Sequence, residues 1–252
     1  ERKSKDLNEY NEAEQLKIRN SFNLLDIERV YRKNQKGEAN EFIFTIESIG
    51  FMKSEQIIID SIQCFILKLT DLKNSFTFEN LNGNINLNIL GNIEVETISE
   101  KNEKILIHVS DENHTLGNIL KYHLVNNFVS SDPNTDDIMT KPLIIGGYCM
   151  PHPTIEALDF KFVLRENITK NMIIDYIYSQ NHVADIKSIP KEKYSELKIN
   201  KLKIMFISLL FIKTINNTIN EFKEFLGTYT SEKSITVNEV PLFSINDDIH
   251  YF

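Results

Sequence analysis

Six histidines, two cysteines and a few acidic or glycine pairs are the residues of this 252-residue chain whose types and spacing can do chemistry. None of His108, His114, His123, His152, His182 and His250 stands at a zinc-ligand spacing with a cysteine or with a carboxylate on one helix face. A structural part, His114 near a helix start and His152 in a turn, accounts for them better than catalysis. Cys64 and Cys149 lie in apolar stretches with no C-x-x-C pair. That argues against a disulfide scaffold or a zinc ribbon, fits a reducing compartment, and assigns both to the core. Asp111 and Glu112 sit where a helix N-terminus favours negative charge, which explains them without acid–base work. Gly146-Gly147 lacks the surroundings of a phosphate loop and reads as a bulge or close approach within a strand. Asp247-Asp248 is a solvated pair, and no aspartate triad of the kind that holds catalytic magnesium is present. No catalytic residue, cofactor or metal site is assigned.

The segment Asp111-Glu112-Asn113-His114-Thr115-Leu116-Gly117-Asn118-Ile119-Leu120 opens a helix with polar caps and then places a glycine one turn in. Glycine in a helix interior costs about 0.8–1.0 kcal/mol relative to alanine, so Gly117 points to a close approach by another backbone or side chain.

Composition bounds the function. Lys and Arg number 28 against 36 Asp and Glu, a formal charge of -8, without the basic excess of an independent nucleic-acid binder. The longest strongly apolar run, Met205–Ile212, is far short of the roughly 20 residues needed to span a bilayer, so no membrane role is expected. No signal-peptide pattern is visible.

The elements that position these residues follow from periodicity. Residues 1–25 are charged and peripheral. Phe42, Phe44 and Ile46 alternate with Ile43, Thr45 and Glu47, the pattern of a strand ending at Gly50. Ser54 caps a helix carrying Ile58, Ile62, Phe65 and Leu69. The Asn-rich stretch 74–92 reads as a connector and domain junction, with Ile85, Leu87 and Ile89 compatible with a short strand. Ile93–Ile98 and Ile105–Val109 form a hairpin, followed by a helix from Thr115 to about Phe128 with Leu116, Ile119, Leu120, Leu124 and Phe128 on one face. Strands over 143–150 and 158–164 flank a stiff Pro151-His152-Pro153 turn. Thr169 caps a further helix, and from Pro190 one long helix runs to Leu226 with Gly227 as its stop. Its stripe is Leu202, Met205, Leu209, Ile212, Ile215, Ile219, Phe222 and Leu226. Because Phe206–Ile212 is apolar almost all round, this helix packs against more than one neighbour, either a partner helix or its own domain's core.

His114-Thr115-Leu116-Gly117-Asn118, the downstream Gly147-Tyr148-Cys149-Met150-Pro151-His152-Pro153 and then Phe160–Arg165 stand in the order shown by the small alpha-like subunits of cellular RNA polymerases, eukaryotic subunit 11 and its archaeal counterpart. The chain resembles that family over residues 93–227. Upstream, Asp26-Ile27-Glu28-Arg29-Val30-Tyr31, Gly37-Glu38 and Phe42-Ile43-Phe44-Thr45-Ile46-Glu47-Ser48-Ile49-Gly50 resemble the C-terminal part of the partner family, eukaryotic subunit 3 and the archaeal protein equivalent to it. The pairing of both in one chain is similar to an arrangement in large nucleocytoplasmic DNA viruses such as the mimivirus group. The loop 126–141 and the insertion 182–190 are longer than the family pattern, and the first half of subunit 3 is missing.

The resemblance implies an α+β fold of antiparallel strands and packed helices, the alpha-like dimerisation fold with two pseudo-equivalent halves. Its parts would be 1–73, a subunit-3-like portion; 74–92, the connector; 93–227, a subunit-11-like domain; and 228–252, a tail. It implies a non-catalytic platform that docks the two largest polymerase subunits and small polymerase subunits, with no direct sequence-specific DNA binding and no cofactor. The implied assembly residues are His114, Thr115, Leu116, Gly117, Asn118, Ile119, Leu120, Leu124, Tyr148, Pro151, His152, Pro153, Leu202, Met205, Leu209, Ile212 and Ile219. The implied location is intracellular: host cytoplasm and virion if viral, otherwise nucleus or cytoplasm. The alternative is a free-standing α+β binding protein or small enzyme that reuses a similar unit.

Overall fold

The alternation at 104–110 and 157–164 places two strands at the centre of a four-stranded antiparallel sheet. In the computed structural model, which describes residues 11–21, 34–35, 42–81, 84–99, 104–132, 134, 136–180 and 191–233, the chain divides into two compact units, 1–54 and 55–252.

The first unit contains helix α1 (Glu12–Ser21), which buries none of its residues. Residues 42–49 form no regular element, and Ile43 and Phe44 are 89% and 84% exposed. The strand expected there is not formed. Its alternation is real, but a strand needs a ladder partner for its backbone groups, and the described residues of this unit include no strand. The resemblance at 26–31 and 37–38 lies outside the described residues.

The second unit begins within helix α2 (Ser54–Asn74). The expected connector at 74–92 is a hairpin of strands β1 (Phe76–Leu81) and β2 (Asn84–Ile89), with Phe76 opposite Ile89 and Leu81 opposite Asn84. Phe76 and Phe78 are buried, and half-buried Leu87 and Ile89 pack beside them against the core, which anchors the ribbon. Strands β3 (Ile93–Ser99), β4 (Lys104–Ser110), β5 (Leu143–Cys149) and β6 (Ala157–Leu164) form the main sheet in the order β3-β4-β6-β5, all antiparallel. Ile105, Ile107 and Val109 of β4 and Leu158, Phe160, Phe162 and Leu164 of β6 are buried, whereas Leu106, His108 and Ser110 alternate with them on the other face. The fold is α+β.

Helix α3 (His114–Phe128) lies on β5, and helix α4 (Lys170–Ser179) starts at the expected cap, where the Thr169 hydroxyl accepts from the Met172 amide. The single long helix expected from Pro190 is instead a short helix α5 (Lys191–Ser195) and a 35-residue helix α6 (Ile199–Lys233). The Ser195 carbonyl accepts from Lys170 Nζ at 2.6 Å, while Glu196 and Leu197 donate to carbonyls three residues back. These bonds tighten the chain into a turn and end α5. The stop expected at Gly227 is absent. A Cβ there would meet nothing within 4 Å, so the only cost of glycine at this exposed site is about 1 kcal/mol of helix propensity, and α6 runs on for another turn and a half.

Helix α6 is the core. Phe211 packs its ring against Phe76, Phe160 and Phe162 at 5.9, 5.0 and 6.0 Å, Phe206 meets Tyr176 at 4.8 Å, and Phe222 meets Phe65 at 5.2 Å. The all-round apolar portion is thus buried by β1, β6 and α4 of the same chain. By length and composition Ile199–Glu232 would pass as a membrane span, but 72% of its apolar window is buried inside the protein, as in a core helix. Cys64 is exposed and Cys149 half-buried, so neither occupies the core position expected for it.

Candidate functional site

Helix α3 begins where its sequence says it should. Asn113 holds an extended conformation and its side chain accepts from the Thr115 amide at 3.0 Å, closing the first turn. Asp111 and Glu112 lie before this cap rather than in the first turn, so the helix dipole is not their main partner. Asp111 accepts from Asn92 Nδ2 at 2.7 Å, and the Glu112 carboxylate, 11% exposed, lies 2.9 Å from Lys68 Nζ on α2. Burial raises the Glu112 pKa, and Lys68 opposes that rise without cancelling it.

The two sequence motifs meet at Gly117. A Cβ on Gly117 would stand 2.5, 2.6 and 2.8 Å from three ring atoms of Tyr148, closer than packed atoms tolerate. The Tyr148 hydroxyl reaches His114 Nδ1 at 2.9 Å, and its ring leans on Phe160 at 5.8 Å. Burial raises the Tyr148 pKa, so the phenol stays neutral at physiological pH. The strand reciprocates: a Cβ on Gly146 would stand 2.9 Å from Val129 Cγ2 and 3.1 Å from two Leu124 atoms. A ring of β5 thus rests on a helix glycine while a helix side chain rests on a strand glycine. The close approach foreseen at Gly117 exists, and the visitor is a strand-borne ring of the same chain.

The structure sorts the remaining expected assembly residues by exposure. Leu116, Leu120, Leu124, Leu202, Met205, Leu209, Ile212 and Ile219 are buried in the chain's own core, and Ile119 is half-buried. Thr115 and Asn118 are exposed on α3 beside Lys121 and Tyr122. Pro151, His152 and Pro153 are exposed in the turn after β5, where His152 Nδ1 lies 2.7 Å from Thr154 Oγ1 and accepts from the Thr154 amide at 3.2 Å. His152 therefore shapes its own turn.

Two aspartates organise the described residues between α3 and β5. The Asp136 carboxylate accepts from the Ser130 hydroxyl and from the amides of Ser131 and Asp132, which lowers its pKa, the Asp132 amide first. The Asp137 carboxylate accepts from the amides of Met139 and Thr140. The guanidinium of buried Arg165 donates to the carbonyls of Asp136 and Lys141 at 3.0 and 3.4 Å.

One constellation escaped the sequence. On the open face of the sheet His108 Nδ1 lies 2.7 Å from Asp159 Oδ1, directly across from it, and His108 Nε2 lies 3.2 Å from Ser110 Oγ. The order Ser–His–Asp is that of a hydrolase triad. The amides nearest the serine are already engaged, however: Ser110 N–H donates to Asn92 and Asp111 N–H to Glu156. Neither is free to stabilise an oxyanion. Among the described residues no group of three or more His, Cys, Asp or Glu side chains is placed to hold a metal ion.

The chain is similar to an RNA polymerase subunit. Over 76 residues it is 33% identical to the DNA-directed RNA polymerases I and III subunit rpc19 of Dictyostelium discoideum, a match covering 30% of this chain. The chain spans about half that relative's length, 54%. No protein-family model matches it.

Proposed function

We propose that this chain is a non-catalytic assembly subunit of a multisubunit DNA-directed RNA polymerase. The observation that carries the proposal is the joint between α3 and β5. The His114–Asn118 and Gly147–Pro153 motifs on which the resemblance rests form one packed unit, with Tyr148 seated on Gly117 and bonded to His114. The similarity to the rpc19 subunit supports the same reading.

In this role the joint stiffens one edge of the sheet and presents Thr115, Asn118 and the Pro151-His152-Pro153 turn to the two largest subunits and to small polymerase subunits. The buried leucines fix that presentation by apolar packing, worth roughly 1.5–3 kcal/mol per side chain. The finer proposal, that one chain joins a subunit-3-like portion to a subunit-11-like domain as in large nucleocytoplasmic DNA viruses, rests on the resemblance of residues 26–50. The place of work is intracellular.

Co-expression of the full chain with the two largest subunits tests the proposal. It predicts a stable ternary species on size exclusion that Gly117→Leu abolishes. A Gly117→Leu chain that still assembled the ternary species would refute the role given to this joint.

The Ser110–His108–Asp159 line favours a second reading, a small hydrolase. A fluorophosphonate probe separates the two. Labelling that disappears in both Ser110→Ala and His108→Ala would favour the enzyme, and absence of labelling would favour assembly.

A further inference from the structure

A groove of about 690 Å³ opens between α2 and the end of the β3–β4 hairpin, wholly within the second unit. Leu72, Ile93 and Val109 line it and are themselves buried, and the Phe65 ring, braced by Phe222, forms a wall. Leu67 and Cys64 continue that wall out to solvent. An apolar recess of this size, within the roughly 300–1,000 Å³ typical of ligand clefts, accepts side chains rather than a flat surface.

The mouth is acidic. Three carboxylates, Asp71, Asp111 and Glu112, stand against one ammonium, Lys68, leaving two uncompensated negative charges. The ammonium is already held by Glu112, and the Asp111 carboxylate accepts from a neutral amide and forms no ion pair among the described residues. Asp71 is exposed and forms no ion pair among the described residues. Asp111 turns the chain from β4 toward α3 with φ 59°, a left-handed conformation rare outside glycine, asparagine and aspartate.

We propose that this groove seats a short apolar segment of a partner polypeptide that carries a lysine or arginine beside its apolar anchor. The anchor fills the space over Leu72, Ile93 and Val109, and the cation meets Asp71 and Asp111 at the rim. Nucleic acid and acidic peptides are excluded by the same charge. The proposal goes beyond the assembly reading and does not depend on it.

Panning the full chain against a random twelve-residue phage-displayed peptide library tests it, with enriched peptides resynthesised and titrated by fluorescence anisotropy. The expected result is enrichment of peptides with an apolar anchor and a flanking Lys or Arg. Their Kd rises at least tenfold in Asp71→Lys and in Leu67→Glu, and rises with salt. Both substitutions lie at exposed positions of α2, and circular dichroism checks that the fold is kept. No enrichment, enriched peptides without basic residues, or affinities untouched by both substitutions would overturn the proposal. Any of these outcomes leaves recovery of the chain with large polymerase subunits unchanged, so the two readings fail separately.

Discussion

Replacing Gly117 by alanine sets two effects of known sign against each other. Helix propensity favours the alanine by about 0.8–1.0 kcal/mol. Against that, the added methyl would lie 2.5–2.8 Å from three ring atoms of Tyr148. The ring cannot yield freely, because its hydroxyl is tied to His114 and its face leans on Phe160. Overpacking of this kind costs about 1–3 kcal/mol, so Gly117→Ala is expected to destabilise the full chain by about 1 kcal/mol net. In a Tyr148→Ala background the obstacle is gone, and the same substitution should stabilise by about 0.8–1.0 kcal/mol. The double-mutant cycle therefore carries a coupling of about 1–3 kcal/mol with a change of sign between backgrounds. Urea denaturation followed by far-ultraviolet circular dichroism reads all four corners. If Gly117→Ala stabilised both backgrounds equally, the steric account of the joint would be refuted.

Three other outcomes follow from the structure. Phe211→Ala removes the ring shared by Phe76, Phe160 and Phe162 and should cost about 3–5 kcal/mol by denaturant melting, far more than Phe225→Ala at the exposed end of α6. Glu112 has a folded pKa raised by burial, so its contribution to stability is full below its ordinary value near 4.5 and is lost as pH rises through the folded value. Glu112→Gln should accordingly gain on the wild type as denaturation is moved from acid to neutral pH, and a flat difference would contradict the assignment. Burial pushes Tyr176 and Tyr194 up to about 12 from an ordinary 10 and raises Tyr148 as well, so these phenols should titrate late in an alkaline absorbance titration, and the stability that Tyr176 and Tyr194 supply should fall between those values.

The parts of the fold legible in sequence are those whose signal is local. The Asn113 cap, the α3 face of Leu116, Leu120, Leu124 and Phe128, and the alternation of β4 and β6 each depend on neighbours within a turn or two, and each appears in the structure. The failures need distant partners. Residues 42–49 alternate correctly yet have no strand to pair with among the described residues of their unit. The β1–β2 hairpin was hidden by asparagine content, although only two residues, Asn82 and Gly83, separate the strands, the strongest short hairpin signal there is. The break between α5 and α6 involves Lys170, 25 residues upstream of the carbonyl it captures.

The site divides in the same way. Gly117 is conspicuous because glycine is costly inside a helix, but its visitor, Tyr148, lies on another element, and nothing in the local pattern joins the two. The Ser110–His108–Asp159 line was invisible because it depends on the register of β4 against β6, 51 residues apart. Exposure also redistributes roles. Leu202, Met205, Leu209, Ile212 and Ile219 are buried within this chain, whereas Thr115, Asn118 and the Pro151–Pro153 turn are exposed.

Recovery of the native complex through a tag on this chain, with subunit identity and stoichiometry read by mass spectrometry, tests the assembly role most directly. The account predicts two very large polymerase subunits at one copy each per copy of this chain. Recovery of the chain alone, or with nothing larger than a small-molecule ligand, would contradict it.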